Sequence, residues 1–141
     1  MKIHRFMIGT LIVTGLSATS CAGSKQLRLS SSEGIPAAQS TVKVRTTENG
    51  NTEIDLVVEH LAPPERVDPN ATIYVVWVRG NGDNAEPQNL GALKVDKDLK
   101  GDLVAVTPLR AFELYITAEP SQASTTPAGR KLLYTTVEMK K

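Results

Sequence analysis

The 141-residue chain holds one cysteine, two histidines and one tryptophan, and aromatic residues make up only 4% of it. A single thiol permits no internal disulfide, so the fold must be held by packing alone. His4, His60 and Cys21 are too few for a zinc site built from those residue types. Neither sign of charge is in surplus, with 16 Lys and Arg against 15 Asp and Glu. Lys2 and Arg5 supply two of the 16, which leaves 14 cations against 15 acids downstream of residue 20. The clustered cations that phosphate backbones demand are therefore missing, and nucleic acid is not an expected partner. The terminal Lys140–Lys141 pair is locally basic and reads as a solvated tail. Also missing are a P-loop, a nucleophile elbow and a dinucleotide fingerprint, so neither a cofactor nor an enzyme is expected. The length suits one domain.

The N-terminal segment MKIHRFMIGTLIVTGLSATSC divides into three parts. Lys2, His4 and Arg5 form a positive start, Phe6 to Leu16 an apolar stretch, and Ser17 to Ser20 a run of small residues. That is the build of an export signal over residues 1–20. Its apolar stretch would extend about 16 Å as a helix, against about 30 Å for a hydrocarbon core. A permanent membrane-spanning helix is disfavoured. Cys21, placed directly after the small residues, resembles the cysteine of a bacterial lipoprotein lipobox. Ala18 stands where such a box most often has Leu. The resemblance implies cleavage before Cys21 and attachment of diacylglycerol and palmitate-type acyl chains to it. It also explains why an exported chain keeps one unpaired thiol. Two acyl chains at about 0.8 kcal/mol per buried CH₂ anchor a protein stably to a bilayer. Ala22 rather than Asp follows the cysteine, a pattern similar to that of lipoproteins sorted to the outer membrane. The expected location is the cell envelope, lipid-anchored at the outer membrane and facing the periplasm.

Residues 21–39 are rich in Ser, Ala and Gly without sustained periodicity, and predict a lipidated flexible tether. From residue 40 to 141 the pattern turns to period two. Thr41–Arg45, Glu53–Glu59, Ala71–Arg79, Leu90–Val95, Leu103–Thr107, Ala111–Ala118 and Leu132–Met139 read as seven strands. Asn49-Gly50 invites a two-residue hairpin turn, but that register would set Val44 against Asp55. An odd-length loop keeps the apolar faces together, with Val44 opposite Leu56, Val42 opposite Val58 and Arg45 opposite Asp55. Pro63, Pro64 and Pro69 make the next segment a crossing loop. The run around Trp77 is apolar on both sides, as in a central strand, and places Trp77 in the core between two sheets. The predicted fold is all-β: a seven-stranded immunoglobulin-like β-sandwich, with a small closed barrel as the alternative.

Four segments carry a second resemblance: YVVWVRG (74–80), NLGALKV (89–95), FELYITAEP (112–120) and TTPAGRKLL (125–133). Together they resemble the extracytoplasmic C-terminal domain of anti-sigma-K factors, and a group of uncharacterised bacterial lipoproteins built from that domain alone. The residues ahead of Cys21 offer neither a sigma-binding region nor a spanning helix. The resemblance therefore implies an envelope module for sensing or interaction, not control of a sigma factor.

Candidate chemistry is sparse. His60 adjoins Glu59 but has no neighbouring nucleophile, and reads as an ordinary strand-end residue. Asp96, Asp98 and Asp102 stand at positions one, three and seven of a loop with Gly101 sixth, as in a calcium loop. Lys100 at position five and Thr107 at position twelve remove two of its ligands, so a solvated turn is preferred. Glu119 has no companion carboxylate at a useful spacing. Tyr74, Trp77 and Tyr115 could stack on sugars, but their strand positions favour packing. The leading expectation is a non-catalytic domain for binding or structural support, with an envelope protein as possible partner. The alternative is a sensor whose 80–88 and 96–102 loops take an ion or small polar ligand.

Overall fold

The structure, a computed structural model, describes residues 23–32 and 34–140. The expected signal segment 1–20 and Cys21 lie outside the described residues. Among those described, the chain forms nine strands and one short helix. In order these are β1 (Ser24–Leu27), β2 (Ser30–Ser31), β3 (Gln39–Thr46), β4 (Thr52–Glu59), α1 (Pro64–Val67) and β5 (Ile73–Gly80). They are followed by β6 (Gln88–Leu93), β7 (Gly101–Thr107), β8 (Ala111–Glu119) and β9 (Leu133–Glu138). The fold is all-β.

Two antiparallel sheets result, one ordered β1-β3-β4-β7 and the other β2-β9-β8-β5-β6. The period-two segments explain themselves. In β3 and β4 the buried residues Val42, Val44, Ile54, Leu56 and Val58 alternate with exposed or half-exposed ones, all polar except Val57. Their row meets Tyr74, Val76 and Val78 of β5 and Phe112, Leu114 and Ile116 of β8 in one shared core. Each such aliphatic side chain contributes roughly 1.5–3 kcal/mol on burial. Two sheets facing across a common core, with no strand pairing between them, describe a sandwich-like arrangement and not a closed barrel.

Four expectations need correction. The seven strands foreseen between residues 40 and 141 are present, but β1 and β2 add two more. Both added strands fall in the stretch read as a flexible tether. Ser24 pairs with Arg45 and Leu27 with Val42, while Ser30 and Ser31 pair with Tyr134 and Leu133. Leu29 and Ile35 enter the shared core, and the Ser40 hydroxyl accepts the Leu29 N–H at 2.8 Å. The tether from Ser24 onward is thus part of the fold, because two apolar anchors and a strand edge outweigh the diluting serines.

The β3–β4 hairpin has the odd-length loop, but its register is two residues away from that expected. Val42 faces Leu56, Val44 faces Ile54 and Arg45 faces Glu53. Both registers bury the same faces, so burial alone does not choose between them. The turn chooses: Thr47 Oγ1 accepts the Asn51 N–H at 3.2 Å, the Gly50 N–H reaches Thr47 O, and Gly50 takes φ +79°. The fourth correction concerns Trp77. It is fully buried, yet it packs with Val75 and Tyr115 on the outer face of the five-stranded sheet, away from the shared core.

Strand directions give the molecule two ends. At one lie the start of β1, the turns at 47–51, 81–87 and 108–110, and Lys140; Arg110 links them by donating to Gly50 O and Lys140 O. At the other lie the segments 60–72, 94–100 and 120–132, tied by Leu61 N–H to Leu99 O and Thr72 N–H to Glu119 O.

Candidate functional site

The outward side chains of β8 are Glu113, Tyr115, Thr117 and Glu119, set beside Arg79, Trp77, Val75 and Ile73 of β5. Within these rows Ile73, Val75, Trp77 and Tyr115 form an apolar strip that cannot face water cheaply, and the segment after β8 covers it. Leaving β8 at Pro120, the chain reaches β6, where the Asn89 side chain donates to Gln122 O at 3.0 Å and Ser124 O at 2.8 Å. It then returns to β8, where Ala128 and Gly129 N–H groups donate to the Glu119 carboxylate at 3.0–3.1 Å. Since β5 lies between β8 and β6, the segment crosses over β5 as a strap. Asn89 is the register partner of Trp77.

Glu119 is the hub of the strap. Wholly buried, it accepts both strap N–H groups and the Thr117 hydroxyl, and Thr117 Oγ1 in turn accepts the Trp77 Nε1–H at 2.9 Å. A buried carboxylate is tolerable only when its lone pairs are filled in this way. Close approach is part of the device: a Cβ on Gly129 would fall 2.5 Å from Ala118 O. Lys131 closes the strap's far side, 2.7 Å from both Glu113 oxygens and 4.7 Å from the Tyr115 ring centroid. Burial pushes the Tyr115 phenol up from its ordinary pKa. The role of Glu119 escaped the sequence reading, in which it had no companion acid; its partners are backbone amides, which leave no residue-type signature.

Tyr74, Trp77 and Tyr115 are all buried, so no sugar-stacking surface exists in this conformation. Tyr74 faces the shared core and donates its hydroxyl to Ala62 O at 2.7 Å. Burial, reinforced by Glu65, pushes its phenol up to about 12.

His60 follows β4, exposed, at φ +56°, in the left-handed region that a non-glycine residue rarely adopts. No described nucleophile or acid is hydrogen-bonded to it. In the 96–102 loop, Asp96 Oδ1 accepts the N–H groups of Asp98 and Lys100, each at 2.9 Å. Lys100 lies 3.9 Å from Glu59. The loop is a turn capped by its own aspartate. Among the described residues, no three His, Cys, Asp or Glu side chains converge as a metal-binding set. The 80–88 loop lies at the opposite end of the sheets from 96–102, so the two do not share a site.

Two hollows open at the end that carries the strap. One, of about 580 Å³, lies between Pro63, Pro64 and Glu65 on one side and Leu93, Lys94 and Lys97 on the other. A second, of about 300 Å³, is bounded by Val67, Asp68, Ala128, Gly129 and Arg130. The opposite sheet's outer face is a charge ladder, with Arg45 2.7 Å from Glu53. Hydrogen bonding to Arg45 holds the Glu53 carboxyl below the usual carboxylate range. No helix among the described residues is long and apolar enough to cross a membrane. Comparison with protein-family models finds no match to this chain, and comparison with curated proteins finds none either.

Proposed function

We propose that the protein is an envelope lipoprotein, anchored to a bilayer through acylated Cys21, whose β-sandwich serves binding or structural support without catalysis. The observation that carries this reading is the order small-small-small-Cys after a short apolar stretch, in a chain with no other thiol. What the domain offers fits a non-catalytic role. The one carboxylate buried among the described residues is consumed by the strap, and the lone described histidine stands apart. Within this reading the sandwich is immunoglobulin-like. What supports this is the partition of β3, β4 and β7 into one sheet and β9, β8 and β5 into the other, similar to the A-B-E and G-F-C partition of such domains; β6 departs from their constant-type order by pairing with β5, and β1 and β2 are additions. The likeness to the extracytoplasmic domain of anti-sigma-K factors belongs to the same proposal, since its segments 74–80, 89–95, 112–120 and 125–133 are the strands and strap of one sheet. Location at the outer membrane rests on Ala22.

A second reading is a sensor of a small polar ligand. One observation favours it, the hollow of about 580 Å³ that Glu65, Lys94 and Lys97 help to line.

Cells fed an alkynyl palmitate test the leading reading. The native chain takes up the label and sediments with membranes; Cys21→Ala loses both. A Cys21→Ala chain that stays membrane-bound and labelled contradicts it.

A further inference from the structure

The ordering of residues 24–31 changes how far the domain can stand from its anchor. A flexible coil over residues 22–39 would wander about 23 Å from its attachment point. The structure removes nearly all of that slack. Ser24 already pairs with Arg45 at the start of β1, so Ala22 and Gly23 alone separate Cys21 from the first strand. From the Cys21 Cα to the Ser24 Cα the chain reaches at most about 11 Å.

That attachment point is at one defined end of the molecule. Beside Gly23, Ser24 and Lys25 lie Glu138, Met139 and Lys140, and Arg110 joins Lys140 O to the Gly50 turn. The opposite end is one strand length away, about 26 Å for an eight-residue strand such as β4. We propose that the domain rests on the bilayer by the end bearing the 47–51, 81–87 and 108–110 turns. The end bearing the strap and the two hollows beside it then points away, while a further hollow of about 310 Å³, lined by Ser24, Lys25, Glu138 and Met139, lies on the bilayer side. The occupant of the first surface is the lipid headgroup layer, and the inference rests on acylation of Cys21. Charge does not drive the contact: Lys25, Arg110 and Lys140 at this end are offset by Glu48, Asp83, Glu86 and Glu138. The short leash does, so the orientation is insensitive to salt.

The test uses the mature lipidated protein in vesicles whose headgroups carry a quencher. A fluorophore is attached at Asn49→Cys or at Lys97→Cys; both side chains are exposed, at opposite ends. The label at 49 loses most of its emission, the label at 97 keeps nearly all of it, and 0.5 M salt changes neither. Inserting ten Gly/Ser residues between Ala22 and Gly23 reduces the contrast. Equal quenching at both sites, or stronger quenching at 97, in protein shown by mass to be acylated overturns the orientation alone. Absence of acylation overturns the anchoring reading and this inference with it.

Discussion

Tyr115, Thr117 and Glu119 of β8 lie under a strap of the chain, whereas Val104 and Val106, the outward pair of β7, are 62% and 51% exposed to water. The two outer faces differ in what surrounds those residues. On the four-stranded sheet, Val104 and Val106 sit beside Asp55 and Glu53, which in turn sit beside Lys43 and Arg45. Polar rows solvate that face, and two valines at its edge need no cover. On the five-stranded sheet the outward row of β5 is Ile73, Val75 and Trp77, a contiguous apolar strip that must be sealed. The seal is made by a segment of small and polar residues, which brings little apolar area of its own. Its hold therefore depends on hydrogen bonds, and above all on Glu119. One face is stable because it is wet; the other is stable because a buried carboxylate holds a lid of backbone over it.

The comparison yields a graded set of outcomes, read by chemical denaturation. Trp77→Ala removes the centre of the covered strip and costs about 4 kcal/mol. Glu119→Ala leaves the Ala128 and Gly129 N–H groups unpaired and costs about 3 kcal/mol. Trp77 is the only tryptophan in the chain, so emission reports on the strap directly. In Glu119→Ala it shifts to the red, and in Glu119→Gln, which keeps one acceptor oxygen, by less. A blue-edge spectrum unchanged by Glu119→Ala contradicts the strap's dependence on this residue.

Tyr74→Phe, on the inner face, loses the bond to Ala62 O and costs about 1 kcal/mol at neutral pH. The same substitution separates burial from charge. In the unfolded chain the phenol ionises near its ordinary pKa of about 10, but in the folded protein only at about 12. The unfolded state therefore releases this proton first as the pH rises. The stabilisation is present in full below pH 10 and declines through the interval up to about 12. Stability of the native chain falls over that interval, and Tyr74→Phe flattens the fall. The smallest effect belongs to the wet face: Val104→Thr changes stability by no more than about 0.5 kcal/mol. A loss of several kcal/mol there would mean that this face is covered after all.

Much of the sheet framework was legible because period-two segments such as Val42–Val44 and Ile54–Leu56–Val58 name their buried face. Register was legible only to its parity, since a shift of two residues exchanges one valine for another on the same side. The expectation that Trp77 lies between the sheets fails because Tyr74 to Val78 is apolar on both sides and alternation carries no information there. The strap left even less trace. Its contacts join Asn89 to Ser124 and Glu119 to Gly129, and their acceptors and donors are backbone atoms that any sequence supplies. The N-terminal strands were hidden in a similar way. Leu27 and Leu29 alternate, but serines on either side make the stretch resemble a linker until the Ser40 hydroxyl is seen holding it.

Mass spectrometry of the intact protein purified from membranes is the most direct check on the anchored, envelope-facing account. The predicted mass is that of residues 21–141 plus a diacylglycerol thioether on Cys21 and its acyl chains. A mass that retains residues 1–20, or one that leaves Cys21 as a free thiol, would contradict it.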